Sequence, residues 1–205
     1  ITLILGIIAT AIFSGRQLSL EQNNAQFDRL LQTPCLKEDI SFRPNDVTVR
    51  IDNVGESIIV IEDIFIKNDG IEKSYKDLYY CVEEELPEKD QNGTIIPDES
   101  KLETYESEDE NEPVSVYIDS SWIDSYVIDI IGDPLPSEDG INLLVFQPDD
   151  PENMDQEEIT HQIRAMRHLL KDYEIEIKYR AIFQDEDDLS SLIITFDAYK
   201  NSFIQ

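Results

Sequence analysis

The chain has 205 residues, of which 40% are hydrophobic. This content allows the chain to fold rather than stay disordered, as one substantial domain or two small ones. Its 45 acidic residues against 16 basic ones give a formal net charge of −29. This balance argues against nucleic acid as a partner, because binding to phosphates requires a basic surface. We expect a solvated acidic surface suited to a salty or extracellular setting.

The first 13 residues form an apolar run, and the first charged side chain is Arg16. Residues 19–32 contain no proline or glycine and place apolar side chains at helical spacing, until Thr33-Pro34 ends the pattern. This predicts one N-terminal helix of about 30 residues, apolar at its tip and amphipathic beyond it. The side chains expected to carry assembly are Ile1, Leu3, Ile4, Leu5, Ile7, Ile8, Ile12, Phe13, Leu20, Phe27 and Leu31.

Three strands are predicted next, over residues 47–52, 58–66 and 75–82, with Asp69-Gly70 forming a hairpin turn between the last two. The stretch 83–113 is rich in acidic residues and prolines. It is typical of a surface excursion, with one short strand at 94–96. Asn92-Gly93-Thr94 within it matches the N-glycosylation sequon, so Asn92 is a candidate glycosylation site if the chain is exported.

The second half of the chain predicts strands over 114–118, 126–131 and 141–146, with a rigid break at 132–136. An amphipathic helix follows over 155–171, because Ile159, Ile163, Met166 and Leu170 recur at helical spacing. Two closing strands are predicted over 173–183 and 189–199. The chain therefore divides into a helix (1–33), a β-rich head (34–133) and a C-terminal α+β extension of that head (134–205).

The predicted fold class is α+β and mostly β. The long N-terminal helix precedes an antiparallel, sandwich-like head that carries one C-terminal amphipathic helix. The two cysteines, Cys35 and Cys81, are an even pair in a chain that looks exported, and we expect them to form a disulfide. Two buried free thiols are the alternative.

We recognise no catalytic or metal-binding motif in this sequence. We therefore expect that the protein is not an enzyme and has no cofactor or metal site. His161 and His168 are seven residues apart on the predicted helix, about 10 Å from each other, and are expected to be solvated. Calcium is the least implausible ligand, in the oxygen-rich loops at 90–93 and 149–155, although neither follows the EF-hand order.

The start Ile1-Thr2-Leu3-Ile4-Leu5 is similar to the opening of processed type IV pilins. The segment 47–66, a strand followed by Asn53-Val54-Gly55 and a second strand, resembles the heads of archaeal pilins and archaellins. The resemblance implies an immunoglobulin-like head and a structural subunit of an extracellular filament. Such a subunit would sit in the membrane before assembly and bind copies of itself through its N-terminal helix.

Two alternatives stay open. The chain would be a single-pass membrane-anchored extracellular domain, an accessory or sensor subunit of a membrane complex, if Ile1, which is not a methionine, is a trimmed end with further apolar residues before it. A weaker alternative is an exported hydrolase, since paired carboxylates cannot be recognised by spacing in so acidic a chain.

Overall fold

The computed structural model describes residues 33–106, 112–124 and 130–196. Strands dominate these ranges, and two α-helices and two short 3-10 turns accompany them. The helices are α1 (Leu78–Glu83) and α2 (Gln156–Leu170). The strands are β1 (Leu36–Phe42), β2 (Val47–Asn53), β3 (Ile59–Asn68), β4 (Ile71–Glu72), β5 (Glu103–Tyr105), β6 (Val114–Val116), β7 (Pro134–Leu135), β8 (Gly140–Phe146), β9 (Tyr173–Ala181) and β10 (Ser190–Thr195).

The first sheet is antiparallel, with strands in the order β1-β2-β8. Its central strand β2 alternates strictly, because Val47, Val49 and Ile51 are fully buried while the residues between them are half-buried. This is the period-two pattern expected of a strand with one face on a core.

The second sheet has the order β10-β9-β3-β4, with β7 pairing to the start of β3. Strand β9 buries Tyr173, Ile175 and Ile177 on one face and presents charged residues on the other. A register shift between Ile61 and Asp63 marks a bulge in β3. The turn between β3 and β4 is made by Asp69 and Gly70, both at positive φ. The sequence predicts this turn, but the returning strand is Ile71–Glu72 rather than 75–82.

A third, two-stranded sheet pairs β5 with β6, and helix α2 packs against both of its strands. Asp155 caps α2 by accepting the Glu157 backbone N–H, and the side chains predicted for its apolar face are buried. One hydrophobic cluster joins both large sheets and both helices, and it runs from Leu36 to Phe196.

The predicted fold class is wrong. Two α-helices, rather than one, occur in the described residues, and the sheets are three rather than the two layers of an immunoglobulin-like sandwich. The predicted N-terminal helix falls on residues outside the described ranges. Neither α-helix in the described part of the chain has the length and apolar character needed to cross a bilayer.

Several of the individually predicted strands and helices are nevertheless present in the structure. The strands predicted at 47–52, 58–66, 114–118, 141–146 and 173–183 and the helix at 155–171 are confirmed with small shifts at their ends, and the strand at 189–199 is confirmed as far as residue 195. The strand predicted at 75–82 is instead α1, and residues 94–96 make only an isolated bridge. Strands β1, β4, β5 and β7 were missed. Most of the strand predicted at 126–131 lies outside the described residues. Strands from both sides of residue 133 pair in each large sheet.

Candidate functional site

The eleven side chains predicted to carry assembly, from Ile1 to Leu31, all lie outside the described residues. Their role stays a prediction. The described body begins at Thr33, and Pro34, which follows it, is buried. The first strand of the described residues is β1, at the edge of the first sheet.

The predicted Cys35–Cys81 disulfide is not present, because both thiols are free. Cys35 is exposed, whereas Cys81 on α1 is fully buried and its sulfur lies 3.6 Å from the Tyr75 carbonyl oxygen. Burial raises the pKa of the Cys81 thiol to about 11, since a thiolate would lose its hydration there. The two cysteines are therefore placed in opposite chemical environments.

The sequon lies in a tight exposed turn. The Asp90 carboxylate accepts the backbone N–H groups of Asn92 and Thr94, at 2.8 and 2.9 Å, and Gly93 adopts a positive φ of 80°. These hydrogen bonds favour the charged carboxylate and hold the pKa of Asp90 below its usual value. The Asn92 side chain is exposed, so the turn presents it to solvent; its glycosylation stays a prediction.

The two histidines are the chemically richest feature that the structure adds. His161 and His168 are not solvated as expected: their side chains are only 22% and 32% exposed. His161 Nδ1 lies 2.7 Å from the Tyr105 hydroxyl, and His168 Nδ1 lies 2.7 Å from a Glu103 carboxylate oxygen. Both partners are on β5. We call these four residues the helix–hairpin seam.

The sequence spacing of the four seam residues fits the period of a strand for one pair and that of a helix for the other. Glu103 and Tyr105 are two residues apart and share one face of β5, while His161 and His168 are two helical turns apart and share one face of α2. Short-range patterns in the sequence could place each pair on its own element. They could not reveal that the two pairs meet, since about 60 residues separate them.

The proton on His168 can be assigned from its neighbours. The Lys171 ammonium lies 2.7 Å from Nε2 and has only donors, so Nε2 must accept a hydrogen bond. The proton of the neutral ring is then on Nδ1, where it is donated to the Glu103 carboxylate. The Lys171 ammonium, the His168 imidazole and the Glu103 carboxylate are therefore linked by consecutive hydrogen bonds.

A second polar contact fixes helix α2 to the segment that follows β6. Gln162 is only 6% exposed, and its amide accepts the Asp119 backbone N–H at 2.9 Å and donates to the Tyr117 carbonyl at 3.0 Å. Asp119 in turn binds Lys89 and accepts from both the backbone and the hydroxyl of Ser121. Sequence reasoning missed Gln162 because a lone glutamine on a helix gives no signal of burial.

A shallow crevice of about 20 Å³, room for one water molecule, lies between α1 and the sheets. Asp77 lines it and caps α1, and burial raises the pKa of this carboxyl. In the described ranges, no group of three or more His, Cys, Asp or Glu residues is placed to hold a metal ion. This includes the described loops 90–93 and 149–155 that were candidates for calcium.

The polar contacts described above connect strands, turns and helix α2 to one another. The helix–hairpin seam joins β5 to α2, Gln162 joins α2 to residues 117–119, and Asn53 joins the β2–β3 turn to β7. No family model matches this chain, and no curated protein or solved structure is significantly similar to it.

Proposed function

We propose that this chain is a structural subunit of an extracellular surface filament, inserted in the membrane before it assembles with copies of itself. The observation that carries the proposal is the apolar run over residues 1–13, which stands in a chain of net charge −29. This separation of apolar from acidic residues along the sequence supports an apolar assembly element joined to an acidic body that remains in water.

The apolar side chains within residues 1–13 would lose contact with water by packing against copies of the same run in other chains. Burying each such side chain against copies of itself contributes about 1.5–3 kcal/mol, so several together outweigh screened repulsion between acidic bodies.

The membrane-anchored alternative rests on the same run. A free-standing span needs about 20 apolar residues. The two readings differ in what the purified protein does without detergent.

The test uses the full chain and a variant with Ile4→Asp and Ile8→Asp, observed by negative-stain electron microscopy after detergent removal. The matched control places the same charges on exposed apolar side chains of the body, with Val54→Asp and Ile71→Asp, which are 55% and 71% exposed. We expect fibres from the wild type and the control and none from the N-terminal variant. A wild type that stays monomeric only in detergent supports the anchor, and one that is monomeric without it overturns both readings.

A further inference from the structure

Most sheet edges of the described body are protected. Strand β1 carries three consecutive charged residues, Lys37, Glu38 and Asp39, along its edge. Strand β8 is covered by residues 120–124, because the Asp124 N–H bonds the Val145 carbonyl and the Gln147 N–H bonds the Trp122 carbonyl. Strands β4 and β7 are only two residues long. Charges, coverage and shortness are the usual means by which proteins prevent edge-to-edge pairing.

Among the described residues, strand β10 has none of these protections. Its six residues, Ser190–Thr195, include no charge and no proline, and it pairs with β9 without a register shift. In the part of the chain that the structure describes, β9 is the one strand that pairs with it, and β1 approaches it without forming a ladder. Ile193 at its centre is 58% exposed. A regular, uncharged edge with an exposed isoleucine is a template for another strand.

We propose that β10 is a docking edge for a second copy of this chain, with the two β10 strands antiparallel about a two-fold axis through Ile193. In that register, Ile193 lies opposite its own copy, Ser191 lies opposite Thr195, and Leu192 lies opposite Ile194. Residues 191, 193 and 195 are the exposed positions of the strand. The exposed face therefore pairs isoleucine with isoleucine and hydroxyl with hydroxyl, which is the self-complementarity that a two-fold interface requires.

Charge favours this edge over other surfaces for a contact between copies. Two bodies that each belong to a chain of net charge −29 repel one another, and close contact is least costly where no carboxylate is brought opposite another. The β10 edge satisfies this over six residues, although the exposed acidic turn 185–188 precedes it. Because that turn lies beside the interface, the pairing strengthens as salt screens it.

The pairing joins two sheets into one across the axis. Each partner contributes β10-β9-β3-β4, and the edge backbone groups of β10 gain partners in the other copy. The contact is separate from the N-terminal run and does not depend on the proposed function. If the filament proposal is also correct, β10 supplies a contact between neighbouring bodies.

The register is tested by cysteine cross-linking in the full chain, with Cys35→Ser to remove the exposed thiol. Residues directly opposite in an antiparallel pair have Cα atoms about 4.5–5.5 Å apart, within the range of a disulfide. We expect Ile193→Cys to form a covalent dimer under mild oxidation. Thr195→Cys alone should not, since its copy lies about 14 Å away along the strands. Thr195→Cys mixed with Ser191→Cys should give a heterodimer. Equal cross-linking at 193 and 195, or none at 193, overturns the proposal.

Association is tested by sedimentation in the Ile4→Asp, Ile8→Asp background, so that N-terminal assembly does not contribute. Ile193→Lys places two ammonium groups opposite each other and should weaken dimerisation at least about tenfold. Ile71→Lys, at a site on another edge that is 71% exposed, should leave it unchanged. A background protein that stays monomeric at all concentrations, or equal dimerisation of both lysine variants, overturns the proposal. Slow exchange in a monomer of those β10 amides that do not bond β9 would show that another segment of the chain covers this edge, with the same consequence.

Discussion

The Tyr105 hydroxyl lies 2.7 Å from Nδ1 of His161 and ties hairpin β5–β6 to helix α2. Tyr105 is 6% exposed, so removing its hydroxyl leaves a ring nitrogen with reduced access to water. We expect Tyr105→Phe to lower the free energy of unfolding by about 1 kcal/mol, the usual net value of one hydrogen bond. Urea denaturation of the two proteins measures the difference.

The control for this change is Tyr75→Phe, which removes a hydroxyl from a side chain that is 42% exposed. It should alter the unfolding free energy by less than about 0.5 kcal/mol, as surface substitutions usually do. Equal effects of the two substitutions would show that the contact between Tyr105 and His161 adds nothing to stability.

Asn53 is fully buried at the end of β2 and holds the β2–β3 turn against β7. Its amide nitrogen donates to the carbonyls of Ser57, Leu135 and Pro136 at 2.7–3.0 Å, and its amide oxygen accepts from the Gly55 N–H. Asn53→Asp keeps the shape but removes both donors and sets a carboxylate among carbonyl oxygens. We expect a loss of more than about 3 kcal/mol in the free energy of unfolding at pH 7.

The matched change is Asn92→Asp, in an exposed turn, which adds the same charge without touching the core. Thermal unfolding followed by circular dichroism compares the two variants. If Asn53→Asp were no less stable than Asn92→Asp, the hydrogen bonds of Asn53 would have no role in holding the turn.

The elements that the sequence predicts are those whose burial is periodic. Strand β9 alternates and α2 repeats at helical spacing, so each could be located from local pattern alone. Helix α1 was mistaken for a strand because its aromatic and β-branched residues favour strands, while its N-cap, Asp77, is a weaker signal. Strand β1 was missed because its charged residues hide the alternation.

The connections between elements could not be predicted in the same way. The helix–hairpin seam and the contacts of Asn53 join residues that are distant in the chain, and no local pattern specifies such partners. The edge position of β10 could not be predicted either, because the sequence shows an uncharged strand but does not show that it lies at the end of a sheet.

The ionisation of Asp119 is expected to make the free energy of unfolding depend on pH in the acid range. Burial disfavours its charge, but hydrogen bonds from Lys89 and Ser121 outweigh this and hold the pKa of the Asp119 carboxyl below its ordinary value. A lowered pKa stabilises the fold at pH values above the unfolded pKa, about 3.9, and this contribution is lost as pH falls through the folded pKa. Asp119→Asn should therefore cost about 1 kcal/mol at pH 7, after allowance for solvent screening, and progressively less below about pH 4.

Urea unfolding at pH 7 and at a series of values below pH 4 measures this convergence. Asp187→Asn, which removes a carboxylate from an exposed turn, corrects for the change in net charge. A cost of Asp119→Asn that does not vary with pH would show that the charge of this carboxylate does not stabilise the fold.

The two cysteines should react at very different rates. Cys35 is exposed, whereas Cys81 is fully buried and burial raises the pKa of its thiol to about 11, so at pH 8 almost none of it is thiolate. We expect a thiol reagent to label one site per native chain rapidly and the second at least about 100-fold more slowly, with both labelled at once in denaturant. Cys35→Ser should abolish the rapid phase. A native chain that shows no reactive thiol until a reductant is added would instead contain the disulfide that the sequence suggested.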